Sequence, residues 1–302
     1  MAACSWGQKG IPVLLVLPLS RQSRSKRWFV QVFSRRFVQV GILIFLAIVI
    51  ALPAQAATFS NASLKGTYSF LNSLTTANLG TNQFAMVGVL AFNGTGNVTG
   101  SFTSISSTTP QTGTLSGTYS VMSNGTGTMT VTFTPGGTAK FAITLNSTTA
   151  GVSHGVQLLR TDDTNNEILS GTAVQQATTS ATYSVASLKG NFALQYNPRT
   201  ADGSLAEDGG IGIFTFDGKG NLKGTVTVMY DGGPAGGSFS GAVYTVNPDG
   251  SGTISGIGGH VLTIAFALNT VTAGQGKGLQ FLDTNDSDGP GNLVITGSAL
   301  KQ

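Results

Sequence analysis

Ala62-Ser63-Leu64-Lys65-Gly66 returns unchanged as Ala186-Ser187-Leu188-Lys189-Gly190, and the residues after the two strings keep step to the C-terminus. Phe92-Asn93-Gly94-Thr95-Gly96-Asn97 reappears 124 positions on as Phe216-Asp217-Gly218-Lys219-Gly220-Asn221, and Ser116-Gly117 as Ser240-Gly241 at the same spacing. Tyr119 and Asn124-Gly125-Thr126-Gly127 answer to Tyr244 and Asp249-Gly250-Ser251-Gly252 at 125, so one residue has been inserted just before Tyr244. Thr149-Ala150-Gly151 then matches Thr272-Ala273-Gly274 at 123, and Gly171-Thr172-Ala173 matches Gly297-Ser298-Ala299 at 126. Each unit, roughly 115 residues, is domain-sized and far longer than the 20–50 residue period of a solenoid. The chain divides into a leader, residues 1–56, a first unit, 57–178, and a second, 179–302.

Within the units the apolar residues alternate. Met129, Val131 and Phe133 are interleaved with Thr128, Thr130, Thr132 and Thr134, the period of a strand with one buried face. Phe141, Ile143 and Leu145 alternate in the same way, and their counterparts Ile264, Phe266 and Leu268 keep that face apolar. Such runs number eight in each unit, in the second near 189–195, 210–217, 221–230, 238–247, 252–257, 260–268, 276–283 and 292–300. The spacing predicts an all-β protein of two tandem antiparallel domains. Sequential hairpins fit a sandwich or an up-and-down barrel, and eight strands in order favour the barrel, because closure leaves no edge. Strands shorter than about ten residues and sparse aromatics argue against an outer-membrane barrel.

The leader differs from everything after it. Arg21, Arg24, Lys26, Arg27, Arg35 and Arg36 precede an apolar run from Val40 to Leu52, followed by Pro53-Ala54-Gln55-Ala56-Ala57. A basic n-region, an apolar h-region and a small-x-small site describe a secretory signal cut after Ala56. The alternative is an uncleaved anchor through residues 40–57, which is near the lower limit for a spanning helix. The expected destination is extracellular or periplasmic, or membrane-anchored if the leader stays.

The leader also accounts for the basic charge. Seven of the sixteen Lys and Arg lie in it, Lys9 included, while all twelve acids follow, which leaves nine against twelve and a net charge of −3 after Ala56. A nucleic-acid partner loses its support with the basic face. Cys4, Trp6 and Trp28 go the same way, so the two units have no disulfide, no thiolate chemistry and no tryptophan.

Leu64-Lys65-Gly66-Thr67-Tyr68-Ser69-Phe70, the Phe-Asx-Gly-x-Gly-Asn segments and Gly117-Thr118-Tyr119-Ser120-Val121 resemble a family of uncharacterised secreted bacterial proteins with tandem glycine-rich strand-turn repeats. The resemblance spans both units and implies no known activity. More distantly, a first strand bearing Gly-x-aromatic before a series of hairpins is similar to the calycin barrels, the lipocalins and avidins, which implies a barrel that binds a small ligand inside. Those families place Trp where Tyr68 and Phe192 stand here, so neither biotin nor retinoid binding is carried over.

Four Asx-Gly-x-Gly segments, at Asn93, Asn124, Asp217 and Asp249, have the look of phosphate loops, but no helix follows any of them, and hairpin turns are the expected reading. Tyr68, Tyr119, Phe192 and Tyr244 recur at equivalent or near-equivalent places and are candidate ligand-binding aromatics, with core packing as the competing reading. Asp283, Asn285, Asp286 and Asp288, ahead of Gly289, offer oxygen ligands suited to calcium, although Ser287 falls where the standard loop needs a ligand. No other metal or cofactor is expected, since two histidines and no cysteine are too few for zinc.

Three functions remain at this level. The first is a non-catalytic exported module binding a small apolar or carbohydrate-like molecule in a barrel mouth. The second is a structural or surface protein contacting an extracellular matrix component. The third is a barrel-type isomerase or cyclase with its site in the second unit, tested at His260 and Glu207, while a paired-carboxylate glycosidase would use acids such as Glu207, Asp208 or Asp231.

Overall fold

The computed structural model describes residues 58–76, 84–106, 109–163, 167–177, 182–200, 209–230, 233–257, 262–285 and 293–302. The leader, with the signal and anchor readings that rest on it, lies outside the described residues. In the first unit the strands are β1 (Lys65–Thr76), β2 (Phe84–Asn93), β3 (Asn97–Ser106), β4 (Thr109–Val121), β5 (Thr126–Thr134), β6 (Thr138–Thr149), β7 (Val152–Arg160) and β8 (Glu167–Ala177). In the second they are β9 (Lys189–Thr200), β10 (Gly209–Asp217), β11 (Asn221–Tyr230), β12 (Gly233–Val246), β13 (Ser251–Ser255), β14 (Thr263–Thr272), β15 (Gln275–Asn285) and β16 (Leu293–Lys301). Each set pairs in chain order, every pair antiparallel, and closes first strand on last. The molecule is therefore two eight-stranded up-and-down barrels in tandem, and the sandwich alternative is excluded by the β1–β8 and β9–β16 ladders.

Alternation places the core. Met129 and Val131 of β5 and Phe141 and Ile143 of β6 point inward and are buried, as are Ile264, Phe266 and Leu268 of β14. Both barrels are filled near one end by the same aromatic stack. Phe92 meets Tyr68 and Tyr119 edge-on at 5.4 and 5.0 Å, and Phe216 meets Phe192 and Tyr244 edge-on at 5.3 and 5.0 Å. Such pairs add about 0.5–1.5 kcal/mol each beyond the apolar area they bury.

A short 3-10 turn seals that end of each barrel, Asn61–Ser63 in the first and Val185–Ser187 in the second. The repeated Ala-Ser-Leu-Lys-Gly string spans the turn and the start of the strand, with Leu64 and Leu188 plugging the interior at 0% exposure. The residue inserted before Tyr244 is absorbed as a β-bulge. Leu222 faces Ala242 and Gly224 faces Phe239, so Ser240 and Gly241 together oppose Lys223, whereas Ser116 alone opposes Thr99 in the first barrel. Gly241 takes φ 82°, a left-handed conformation that suits glycine.

The barrels pack side by side along a dry seam. Ala85, Val87, Val89 and Ile105 on the outside of β2 and β3 meet Ala265, Ala267, Leu282 and Val294 on the outside of β14, β15 and β16. Polar groups flank the seam. Ser69 Oγ donates to Gln280 Oε1 at 3.1 Å, Gln280 Nε2 donates to Thr172 Oγ1 at 3.0 Å, and Ser101 Oγ donates to Asp249 Oδ2 at 2.5 Å. Because β2 and β14 bury both faces, their sequences are near-continuous apolar runs rather than alternating ones.

Candidate functional site

The candidate aromatics stand at the sealed ends. The Tyr119 hydroxyl donates toward Leu64 O at 2.7 Å and Asn61 O at 3.1 Å, and it accepts the Gly94 N–H at 3.0 Å. Tyr244 repeats this with Leu188 O at 2.9 Å and Val185 O at 3.0 Å. Both tyrosines thus tie the closing turn to the wall. Tyr68 donates to Ser153 O at 2.5 Å, and Phe192 in the equivalent place has no hydroxyl to satisfy. Burial pushes the phenols of Tyr68, Tyr119, Tyr183 and Tyr244 above their ordinary value. All four candidate aromatics are buried, and the hydroxyl partners named here are backbone groups. The sequence signal for this role was present, since the tyrosines recur together with the Ala-Ser-Leu-Lys-Gly string whose carbonyls they hold.

The opposite end of the first barrel holds a cavity of about 190 Å³. It lies where β1 ends and β2 begins, a place the tandem aromatics do not reach. Phe84, Met86, Phe102, Phe133, Phe141 and Leu169 supply an apolar lining. Phe102 and Phe133 stack edge-on at 5.2 Å. The Pro135 to Thr138 backbone of the β5–β6 turn forms part of the wall, and Ser104, Gln111 and Arg160 add the polar groups. Arg160 is already paired, with Nε 2.8 Å from Asp162 Oδ1 and one terminal nitrogen 4.0 Å from Asp163 Oδ2. Burial opposes ionisation of Asp162, yet the hydrogen bond from Arg160 and the Lys140 N–H at 2.9 Å hold its carboxyl below the usual range. The rim charge is compensated within the barrel, which leaves an apolar recess rather than an anion trap.

A larger cleft, about 580 Å³, lies beside the sealed end of the first barrel, where His154, Gln175 and Gln176 face the β14–β15 turn at Thr270 to Gly274. His154 Nδ1 is 2.6 Å from Gln175 Oε1, and Gln175 Nε2 reaches Lys65 O at 3.2 Å. No carboxylate, lysine or arginine is among its described lining residues.

The four Asx-Gly-x-Gly segments are hairpin turns. Asn93 Oδ1 accepts the N–H groups of Thr95 and Asn97 at 2.8 and 3.0 Å, and Asp217 Oδ1 those of Lys219 and Asn221 at 2.6 and 2.9 Å. Asn124 and Asp249 accept the N–H groups of Thr126 and Ser251 in the same way. Of the calcium set, Asp283 is buried at 1% exposure, while the Asn285 side chain, Asp286 and Asp288 lie outside the described residues. Glu207, Asp208, Asp231 and His260 lie outside them too. Among the described residues no three His, Cys, Asp or Glu side chains converge.

No family model and no curated protein matches the chain. Among solved structures it is similar to a candidate AttH from Nitrosomonas europaea, at 7% identity over 83% of this chain and 97% of that one, with a TM-score of 0.27. It is similar also to intact Ap-TbpB with its N and C lobes, at 10% identity over 82% of this chain and 79% of that one, TM-score 0.24. A protein of unknown function from the DUF3598 family of Nostoc punctiforme matches at 14% identity over 79% of this chain and 96% of that one, TM-score 0.25. At these identities and scores the likeness carries no functional inference. The chain is a tandem-barrel protein, and its cavities are what suggest a role.

Proposed function

We propose that this is an exported, non-catalytic binding module whose first barrel holds a small apolar molecule in the recess lined by Phe84, Met86, Phe102, Phe133, Phe141 and Leu169. The observation that supports the reading is that open recess, lined largely by aromatic and aliphatic side chains and about 190 Å³ in volume. An apolar cavity of about 150 Å³ accommodates benzene, whereas drug-sized ligands need about 300 Å³ or more. The ligand class is therefore a single aromatic ring or a short branched alkyl group, oriented by Ser104 or Gln111. Export rests on the leader, and the reading needs no metal or cofactor. The competing roles, a matrix-contacting surface protein and a second-barrel enzyme, need no occupant in this recess.

Gly137 supplies the test. It lines the recess, and a Cβ built there meets nothing within 4 Å, so Gly137→Trp adds bulk at a lining position with no clash at its Cβ. Saturation-transfer NMR with toluene, phenol and indole is expected to show binding to the wild type and loss of it in Gly137→Trp. Equal transfer in both proteins, or none in either, refutes the site.

The neutral, hydroxyl- and amide-lined cleft at His154 and Gln175 favours a second reading, a carbohydrate-like ligand beside the barrels. Saccharide binding lost in Gln175→Leu but kept in Gly137→Trp would move the site there.

A further inference from the structure

The seam between the barrels is an asymmetric contact between two different faces of the same repeat. The first barrel contributes the outside of β2 and β3 with the adjoining β1 and β8, and the second the outside of β14 to β16. Since the units are repeats, each also carries the face that the other one uses. The second barrel therefore presents its own copy of the β2–β3 face, and the first its own copy of the β14–β16 face, where β8 already meets β14, and Thr172 meets Gln280, while Leu159 and Ile168 stay exposed.

Both free copies are apolar. Val87, Val89 and Ile105 correspond at a spacing of 124 to Ile211, Ile213 and Met229. The former are at most 3% exposed in the seam, and the latter are 62%, 37% and 46% exposed. On the other face, Leu282 and Val294 correspond to Leu159 and Ile168, at spacings of 123 and 126. They are 0% and 2% exposed in the seam against 45% and 50% outside it. Five of the eight large hydrophobic side chains exposed among the described residues thus fall on repeat equivalents of the seam. Scattered surface apolar residues need no explanation, but a patch matched in position to a known interface does.

Strand register carries the match further. Ala265 sits opposite Leu282 across β14 and β15, and Ala142 sits opposite Leu159 across β6 and β7. The polar flanks are retained in part. Gln157 stands in place of Gln280, Ser298 in place of Thr172, and Thr225 and Asn124 in place of Ser101 and Asp249. All four are exposed. Gln195 for Leu71, Thr144 for Ala267 and Ala193 for Ser69 weaken the copied contact relative to the covalently tethered one.

We propose that the occupant of both free faces is a second copy of this chain. The β10–β11 face of one molecule, centred on Ile211 and Ile213, docks on the β6–β8 face of the next, centred on Leu159 and Ile168, in the geometry of the internal seam. A face-to-different-face contact of this kind is heterologous, so it propagates into a filament or closes into a ring rather than stopping at a dimer.

That asymmetry gives a test by complementation. Ile211→Asp and Leu159→Asp each remove one face at an exposed position, and circular dichroism with a thermal melt checks that both variants fold. If either does not, Ile211→Gln or Leu159→Gln takes its place. The protein is expressed with its own leader and followed by light scattering on a sizing column over rising concentration. The wild type is expected to grow past two chains while each variant stays at the mass of one. An equal mixture of the two variants is expected to give the mass of two chains and no more, because each supplies the face the other lacks. A wild type that stays single at every concentration overturns the proposal, including one that floats with phosphatidylcholine vesicles instead. Association that persists in either variant alone, as a retained leader would produce, overturns it as well, and so does a mixture that stays at one chain.

Discussion

Removing one oxygen from Tyr119 tests how the barrels are closed. Tyr119→Phe keeps the ring against Phe92, with centroids 5.0 Å apart, and deletes only the hydroxyl. That hydroxyl receives the Gly94 N–H and gives its proton toward Leu64 O, a carbonyl on a residue at 0% exposure. Two polar groups are then left without their partner. Unsatisfied buried groups cost about 1–3 kcal/mol each, so the variant should lose roughly 2–6 kcal/mol. Residues 57–302 form one compact unit. For 150–250 residues each kcal/mol moves the melting temperature by roughly 2–4 °C, which predicts a fall of roughly 4–24 °C by calorimetry. Tyr244→Phe should act alike in the second barrel. Tyr68→Phe should cost less, about 1–3 kcal/mol for the one carbonyl, Ser153 O, that loses a short donor. The Gln175 Nε2 contact to that hydroxyl is long, at 3.5 Å, and the second barrel already carries Phe192 at that place. An unchanged melting curve for Tyr119→Phe, or a larger loss for Tyr68→Phe, would refute the anchoring role.

Other outcomes follow from the same contacts. Four phenols lie above their ordinary 10.0, so the unfolded chain releases protons first; stability is full below about pH 10 and falls above it, as denaturant titration at stepped alkaline pH should show. Asp162 is shifted the other way, so its contribution is present above the ordinary 3.8 and lost as the pH falls below it, an effect that Asp162→Asn should remove. A Cβ on Gly100 would stand 2.0 Å from Val89 O, so Gly100→Ala should destabilise by about 1–3 kcal/mol or more, while Gly137→Ala should stay within about 0.5 kcal/mol in the same urea melts. Calcium titration tests the 283–288 loop as a metal site, for which a saturable rise in melting temperature is the expected outcome and an unmoved one counts against it.

The repeat and its alternation made the fold legible, because in a barrel half of each strand faces a single shared interior. Eight strands per unit, their order and the phase of β5, β6 and β14 were all readable, and the one-residue insertion before Tyr244 became the bulge at Ser240 and Gly241. The seam was not readable in the same way. An unbroken apolar run such as Phe84 to Phe92 says that both faces of a strand are buried, but not against what. The recess escaped for a different reason. Its large apolar lining residues come from five strands, β2, β3, β5, β6 and β8, spread along the chain among other core residues. Whether space is left among them depends on side-chain volumes summed around the whole barrel, which no single strand's pattern reports. The tyrosines drew notice as recurring amphipathic rings, and what fixed their role was the position of two carbonyls in a turn contributed by another part of the chain.

Native mass spectrometry tests the binding claim most directly, applied to wild type and Gly137→Trp expressed with their own leader and recovered from the extracytoplasmic fraction. The account predicts a mass beginning at Ala57 in both, with a small organic adduct on the wild type that the tryptophan variant lacks. The same bare mass in both proteins, or the same adduct on both, would contradict it.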